Sequence, residues 1–174
     1  YQSYKYFKNE LCQTTLKDEV RADTTLAKLS QLKPVFKTKG SVSAGNASSL
    51  NDGAAFLALA SPEYIKANKI KPLAKVLAWS SSAGNPDYMG ITPITSIQKL
   101  MKKMSVNISF FDLIEINEAF AATSVAVQRS LKIDPNKLNI AGGAIALGHP
   151  IGCSGTRIVT TLAHQLKRTK KKFG

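Results

Sequence analysis

The sequence has few of the residues that define several protein classes. It has two cysteines, Cys12 and Cys153, which are too few for a disulfide framework or a zinc site and lack C-x-x-C spacing. We therefore expect a reducing intracellular compartment, cytoplasmic or mitochondrial, and no metal. No apolar run reaches the roughly 18 residues of a membrane span, so no membrane partner is expected. The chain starts at Tyr1, not Met, which predicts a processed or truncated chain and leaves the compartment undecided.

Acidic residues are also scarce, since 11 Asp and Glu stand against 24 Lys and Arg, a net charge of +13. This excess favours polyanionic partners without choosing among them. The only dense basic cluster covers residues 167–172. Nucleic-acid binders usually combine such a cluster with aromatic residues, but here the first aromatic residue is Phe173, after the cluster. Cations at a helix end also complement the helix dipole. We predict a solvated surface and no nucleic-acid partner, with the phosphates of a small cofactor as the next candidate.

Apolar periodicity predicts alternating strands and helices from about residue 40. The predicted strands are 42–44, 73–80, 111–116 and 138–145. The predicted helices are 54–60, capped by Asn51-Asp52-Gly53 and resuming over 63–68, then 94–104, 119–131 and a last one through 158–166. This order indicates an α/β layered domain over 33–174, preceded by the end of a loop region and a linker over 1–32. Because no strand follows the last helix, we also expect truncation at the C-terminus.

Three turns follow predicted strands, where ligands tend to bind in α/β sheets: residues 44–49, 117–118 and 148–150. His149 suits proton transfer near neutral pH, and Pro150 disfavours the α conformation for it. Asn117 offers an amide that can position a water or a substrate carbonyl, and Ser48 offers a hydroxyl. Each also has a purely structural interpretation: His149 in a packed corner, Asn117 as a helix cap and Ser48 as a turn former.

Three sequence blocks resemble the thiolase family. They are SAGNASSLNDGAA at 43–55, NEAFA at 117–121 and GGAIALGHPIGCSG at 142–155, in the family's order. The resemblance covers about residues 20–174 and is closest to the acetyl-CoA acetyltransferases, also called acetoacetyl-CoA thiolases. It implies the C-terminal half of a duplicated, thiolase-like layered αβα fold, without its last two strands.

The resemblance implies Claisen condensation of two acetyl-CoA molecules to acetoacetyl-CoA and CoA, or the thiolytic reverse, with no cofactor beyond the CoA thioester substrate. By match to the motif, His149 would activate the nucleophilic cysteine and donate to the thioester oxygen as the enolate develops. Asn117 would hold the water that completes this oxyanion hole. Both are the expected catalytic residues.

The same resemblance implies a channel for the pantetheine of CoA, and a homodimer or homotetramer. Ser48 and Ala47 would line the channel. Its apolar walls would be Leu50, Met89, Ala119 and Phe120.

The sequence departs from the family pattern because neither catalytic cysteine is in it. One belongs to the family's N-terminal half and the other to a Cys-x-Gly-Gly-Gly segment. Cys153 lies inside the His149 motif, where the family accepts Ala, Met or Cys, so we predict that this chain alone is inactive. The alternatives are a ketoacyl synthase, a non-catalytic acyl-CoA or lipid-binding module on the same scaffold, and a nucleic-acid-binding fragment that uses residues 167–172.

Overall fold

A computed structural model describes residues 20–174, which fall into two compact units that divide after Gln31. The described part of the first unit contains helix α1, Leu26–Ser30, whose N-cap Thr25 accepts a hydrogen bond from the Lys28 N–H. The second unit runs from Leu32 to Gly174 and contains all three of the motif blocks. The assignment of 1–32 to the end of a loop region and a linker, and of 33–174 to the α/β layered domain, stays a prediction.

The second unit is built mainly from helices. They are α2 Pro62–Ala67, α3 Thr92–Met104, α4 Ala121–Leu131, α5 Ala144–Leu147 and α6 Ile151–Thr169, with short 3-10 helices at Pro86–Ile91, Ile108–Phe110 and Pro135–Lys137. The helices predicted at 63–68, 94–104, 119–131 and 158–166 are therefore confirmed, with shifted ends. No helix within residues 20–174 combines the length and apolarity needed to cross a bilayer.

The β structure of the described residues consists of three isolated bridges. Pro34 pairs with Ser43 and Ala47 with Phe120, both antiparallel, while Ile114 pairs in parallel with Leu138. Each bridge pairs one residue from each of two segments that are apart in the sequence. It joins the two segments at that point and does not extend into a β-ladder.

The segment 73–80, predicted as a strand, has no β partner among the described residues. This segment instead lies against α3 through single polar contacts. The Ser80 hydroxyl donates to the Ser96 carbonyl at 2.7 Å, and Lys103 Nζ donates to the Trp79 carbonyl. Because helix backbone groups are already paired, α3 cannot provide the second backbone that a strand requires.

The core lies between α3, α4 and the segment around Ile116. Ile116, Val127, Leu131 and Ile133 are buried together, and Ile94, Ile97 and Met101 of α3 pack against them. The spacing of those α3 residues is the i, i+3, i+7 pattern of one helix face. That face is the one the sequence predicted.

The helix predicted over 54–60 is wrong, since these residues lie outside any helix and are exposed. The expected cap is engaged elsewhere: the Asn51 side-chain oxygen Oδ1 accepts a hydrogen bond from the Ser49 hydroxyl at 2.7 Å. Phe56 and Leu59 are 88% and 85% exposed, so no core contact supports a helix here. A short apolar helix without packing is unstable in water.

The strand predicted over 138–145 is also wrong beyond its first residue. The Asn139 side chain replaces the expected pairing, because its oxygen accepts the Ile116 N–H at 2.8 Å and its nitrogen donates to the Ile116 carbonyl at 2.9 Å. Asn139 itself has a φ of +47°, which ends the extended backbone, and a turn closed by the Gly142 N–H on the Asn139 carbonyl leads to α5 at Ala144. The third motif block therefore reaches His149 through a turn of helix.

Candidate functional site

The two expected catalytic side chains, Asn117 and His149, are in contact. Asn117 Nδ2 lies 3.3 Å from His149 Nε2, although 32 residues separate them, and both are partly buried. The carbonyl oxygen of the Asn117 side chain is also buried and has no hydrogen-bond partner among the described residues. The pair thus joins a proton carrier to an amide whose oxygen remains free to accept.

The turn that presents His149 depends on glycine. Gly148 has φ +95° and ψ 163°, a conformation that is costly for residues with a Cβ. A Cβ there would also overlap the Asn51 side chain. The His149 N–H donates to the Ser49 carbonyl at 3.1 Å, so the 49–51 segment holds the histidine backbone from one side.

Glu118 fixes the chain before this turn. Its two carboxylate oxygens accept hydrogen bonds from Asn139 Nδ2 at 2.8 Å and from the Ile145 N–H at 3.3 Å, at the start of α5. Gly143 passes so close that a Cβ would overlap this carboxylate. The residue after Asn117 therefore positions the helix that leads to His149, a role the sequence analysis missed.

Four of the predicted CoA-channel residues meet at one junction. Ala47 forms the antiparallel bridge with Phe120, and the Ser48 N–H and hydroxyl both donate to the Ala119 carbonyl at 3.0 Å. The Ser48 hydroxyl therefore ties the first motif block to the second. This confirms neither a CoA contact nor a purely structural role.

Leu50 and Met89, the other two predicted channel residues, differ from this junction in their exposure to solvent. Their side chains are 89% and 71% exposed. Met89 belongs to the 3-10 helix Pro86–Ile91, which lies against α4 where a Cβ on Gly90 would come within 3.0 Å of the Thr123 hydroxyl. Their role as apolar walls stays a prediction.

Glu115, two residues before Asn117, is the most perturbed acid of the described chain. Burial raises the pKa of its carboxyl, the Arg157 guanidinium of α6 partly opposes this, and the neighbouring Glu118 carboxylate adds to it, so that the pKa is about 7. The carboxyl is therefore partly protonated at neutral pH, beside the segment that carries the site.

Cys153 is a buried free thiol in the first turn of α6, only 7% exposed. It lies beside Gly53, where a Cβ would be 3.6 Å from its sulfur. This environment is that of a packed cysteine, not an accessible nucleophile. Cys12 lies outside the described residues.

The contact most clearly missed by the sequence analysis is Ser154. Its hydroxyl lies 2.7 Å from His149 Nδ1, and the residue is only 3% exposed. Its spacing of five residues from the histidine, at the start of an amphipathic helix, was the available signal.

Comparison with known proteins places these features in one family. The family model described as "Thiolase, C-terminal domain" matches residues 70–174, and "Thiolase, N-terminal domain" matches residues 3–63. A probable acetyl-CoA acyltransferase of Staphylococcus aureus is 50% identical over 151 residues, covering 86% of this chain and 38% of that protein.

Two solved structures are similar throughout the chain. The Bacillus anthracis acetyl-CoA acetyltransferase has a TM-score of 0.90 and 43% identity, covering 98% of this chain and 43% of its own. The human mitochondrial 3-ketoacyl-CoA thiolase in complex with CoA has a TM-score of 0.82 and 40% identity, covering 91% and 41%.

This chain thus spans about two fifths of the proteins it matches, between 38% and 43% of their lengths. The structural similarity confirms the predicted thiolase-like αβα fold class. Because the C-terminal domain match alone covers residues 70–174, more than half of the sequence, the chain belongs to the thiolase family.

Proposed function

We propose that the protein containing this chain is a thiolase acyltransferase that condenses two acetyl-CoA molecules to acetoacetyl-CoA and CoA, or runs the thiolytic reverse. The single observation that carries the proposal is the Asn117 to His149 contact of 3.3 Å within a member of the thiolase family. The names of the similar proteins support acyl transfer to or from CoA as the class of reaction.

The chemistry we assign to His149 is proton transfer followed by hydrogen-bond donation. Nε2 takes the proton of a cysteine thiol, so that the S–H bond breaks and a thiolate forms that can attack a thioester carbon. The same Nε2–H then donates to the thioester oxygen while an enolate develops, where a donor is most effective. Asn117 acts beside it by holding a water that completes the oxyanion hole.

We assign the thiols of this reaction to cysteines other than Cys153, because its sulfur is buried against Gly53. Because Cys12, the other cysteine, lies outside the three motif blocks, we expect the 174-residue chain alone to have no thiolase activity. Acetoacetyl-CoA cleavage by the purified chain that disappears in Cys153→Ala would refute this assignment.

We further propose that CoA lies along the junction of Ala47 and Ser48 with Ala119 and Phe120. One similar structure holds CoA, and an apolar depression adjoins the junction, lined by Phe36, Val42, Phe120, Ala122 and Thr123. Leu50 and Met89 would add exposed apolar surface for the pantetheine. The phosphates of CoA are the anions that we expect the basic surface to attract.

We expect the protein to be a homodimer or a homotetramer.

The test uses the full-length protein with acetoacetyl-CoA and longer 3-ketoacyl-CoA substrates. His149→Ala should lower turnover about 100-fold or more, the scale of losing a general base or an oxyanion donor. Asn117→Ala should cost less, because it acts through a water. The matched control is His164→Ala, which removes an exposed imidazole from α6 and should leave turnover unchanged.

Three outcomes would count against all or part of the proposal. Loss of activity in Asn117→Ala with full activity in His149→Ala would refute the assigned roles. CoA binding without turnover of any of these substrates would favour the non-catalytic acyl-CoA-binding module instead. Faster turnover of long substrates than of acetoacetyl-CoA would keep the family activity and refute only the proposed substrate.

A further inference from the structure

Ser154 contacts the ring nitrogen of His149 that faces away from Asn117. Its hydroxyl oxygen lies 2.7 Å from Nδ1 and also donates to the Pro150 carbonyl at 3.1 Å. On the opposite side of the ring, Nε2 lies 3.3 Å from Asn117 Nδ2. Both ring nitrogens of His149 are therefore occupied, one by a hydroxyl and one by an amide.

The partners decide which nitrogen carries the proton. An amide nitrogen only donates, so Nε2 must accept from Asn117 Nδ2. In a neutral imidazole the other nitrogen, Nδ1, is then the donor, and its partner is the Ser154 oxygen. That oxygen can accept because its own proton goes to the Pro150 carbonyl. All three hydrogen bonds then run in one direction, from the Asn117 amide to the Pro150 carbonyl.

The opposite tautomer fits these contacts poorly. It would point an Nε2–H at the N–H groups of Asn117, so that two donors face each other. It would also turn the Ser154 proton away from Pro150 and toward Nδ1. Ser154 cannot move aside to avoid this choice, because it is 3% exposed within the first turn of α6.

We propose that Ser154 is a positioning residue that holds His149 in the Nδ1–H tautomer, in which Nε2, on the Asn117 side of the ring, carries no proton. Its role in catalysis rests on the proposed function, whereas the tautomer itself does not. A base needs an unprotonated nitrogen, and in this tautomer that nitrogen is Nε2, which exchanges its hydrogen bond from Asn117 Nδ2 for the thiol proton. When Nε2 takes the thiol proton, Nδ1 keeps its own, and the Ser154 oxygen accepts from it in both states. Proton transfer therefore leaves the Ser154 side of the ring unchanged and alters only the Asn117 side, where a protonated Nε2 can no longer accept from Nδ2.

The direct test is the tautomer of His149 in the 174-residue chain. Histidine-selective 15N labelling and two-bond 1H–15N correlation spectra separate protonated from unprotonated ring nitrogens. The chain has only two histidines, and the exposed His164 provides an internal reference. His164→Gln assigns the signals. We expect His149 to show a protonated Nδ1 and an unprotonated Nε2 at a pH where the ring is neutral.

Variants then test whether Ser154 is the cause. Ser154→Ala leaves only Asn117 to favour the Nδ1–H form, so it should shift His149 part of the way toward the tautomer mixture of His164. Ser154→Thr, which keeps the hydroxyl, should restore the Nδ1–H form. Thr160→Ala is the matched control, because the Thr160 hydroxyl makes the same kind of bond to the Thr156 carbonyl at 2.9 Å in α6, away from His149. It should leave the His149 signals unchanged.

In the full-length protein, Ser154→Ala should lower kcat about 10- to 100-fold, the range seen when partners that orient metal-bound histidines are removed. KM should change little, and Ser154→Thr should recover part of the loss. A protonated Nε2 in the unsubstituted chain would overturn the proposal, and that spectrum decides the matter even if Ser154→Ala fails to fold. An unchanged tautomer in a folded Ser154→Ala chain would overturn it as well. An inactive full-length protein with the Nδ1–H form would refute the proposed function alone.

Discussion

Adding a Cβ to a glycine can cost stability in two ways, through backbone strain and through overlap with a neighbouring atom. Four glycines around the His149 turn allow the two costs to be measured separately. Gly142 has φ +85° with no atom within 4 Å of a Cβ, so substitution costs only backbone strain. Gly143 has an ordinary φ, but its Cβ would overlap the Glu118 carboxylate. Gly148 combines φ +95° with overlap on Asn51, and Gly152 has neither problem. Alanine at each position therefore forms a two-by-two experiment.

The expected magnitudes follow from these two terms. A residue with a Cβ in a sparsely populated backbone region costs about 1–3 kcal/mol, and overpacking costs about 1–3 kcal/mol. Gly142→Ala and Gly143→Ala should each lower the free energy of unfolding by one such amount, and Gly148→Ala by about 2–6 kcal/mol if the two add. Gly152→Ala lies in α6 and should raise it by up to about 1 kcal/mol, because alanine is the better helix former.

The assay is equilibrium urea unfolding of the 174-residue chain, followed by far-UV circular dichroism. A fifth protein, Gly148→Ala with Asn51→Ala, removes the overlapping side chain and should recover the contact term while leaving the backbone term. If Gly148→Ala is no less stable than Gly142→Ala, the contact with Asn51 has been overstated. Equal stability of the Gly142, Gly148 and Gly152 variants would refute the backbone argument itself.

Two further predictions concern pH. The folded-state pKa of Glu115, about 7, lies above its usual value, so the original chain loses stability as this carboxyl ionises. Glu115→Gln cannot ionise, so its free energy of unfolding should increase relative to that of the original chain as pH rises from about 4.5 to 7. A constant difference over that range would contradict the raised pKa. The pKa of Asp112 is lowered by hydrogen bonds from the Phe173 and Lys172 N–H groups, at 2.9 and 3.0 Å, so its contribution is present above its unfolded pKa and is lost as pH falls through the folded one. Asp112→Ala should speed hydrogen exchange at both amides above that pH and change little below it, and equal exchange at all pH values would show that the carboxylate does not hold this end of the chain.

Helix α3 shows what periodicity alone can predict. Ile94, Ile97 and Met101 recur at the spacing of one helix face, and the structure packs that face against Val127 and Leu131. The failed helix over 54–60 shows the limit of the same reasoning. Its residues are as apolar as those of α3, but they meet no core, and helices in proteins depend on such packing more than on propensity.

The site shows the same division. The three motif blocks and the side-chain chemistry of Asn117, Ser48 and His149 were readable in the sequence, whereas the contact between Asn117 and His149 came from the fold. The strand predicted over 138–145 was not, because one side chain, Asn139, takes the pairing of Ile116 from a position that no local pattern marks.

The sequence by itself determined the family blocks, the amphipathic helices and the residue types available for proton transfer, because these depend on local spacing and on the chemistry of single side chains. Only the tertiary structure decided that Ser154 and Asn117 occupy opposite nitrogens of His149, that Gly143 and Gly148 have no room for a Cβ, and that burial raises the pKa of Glu115. Contacts and desolvation are set by segments that are brought together from distant parts of the chain, and a linear sequence does not contain their distances.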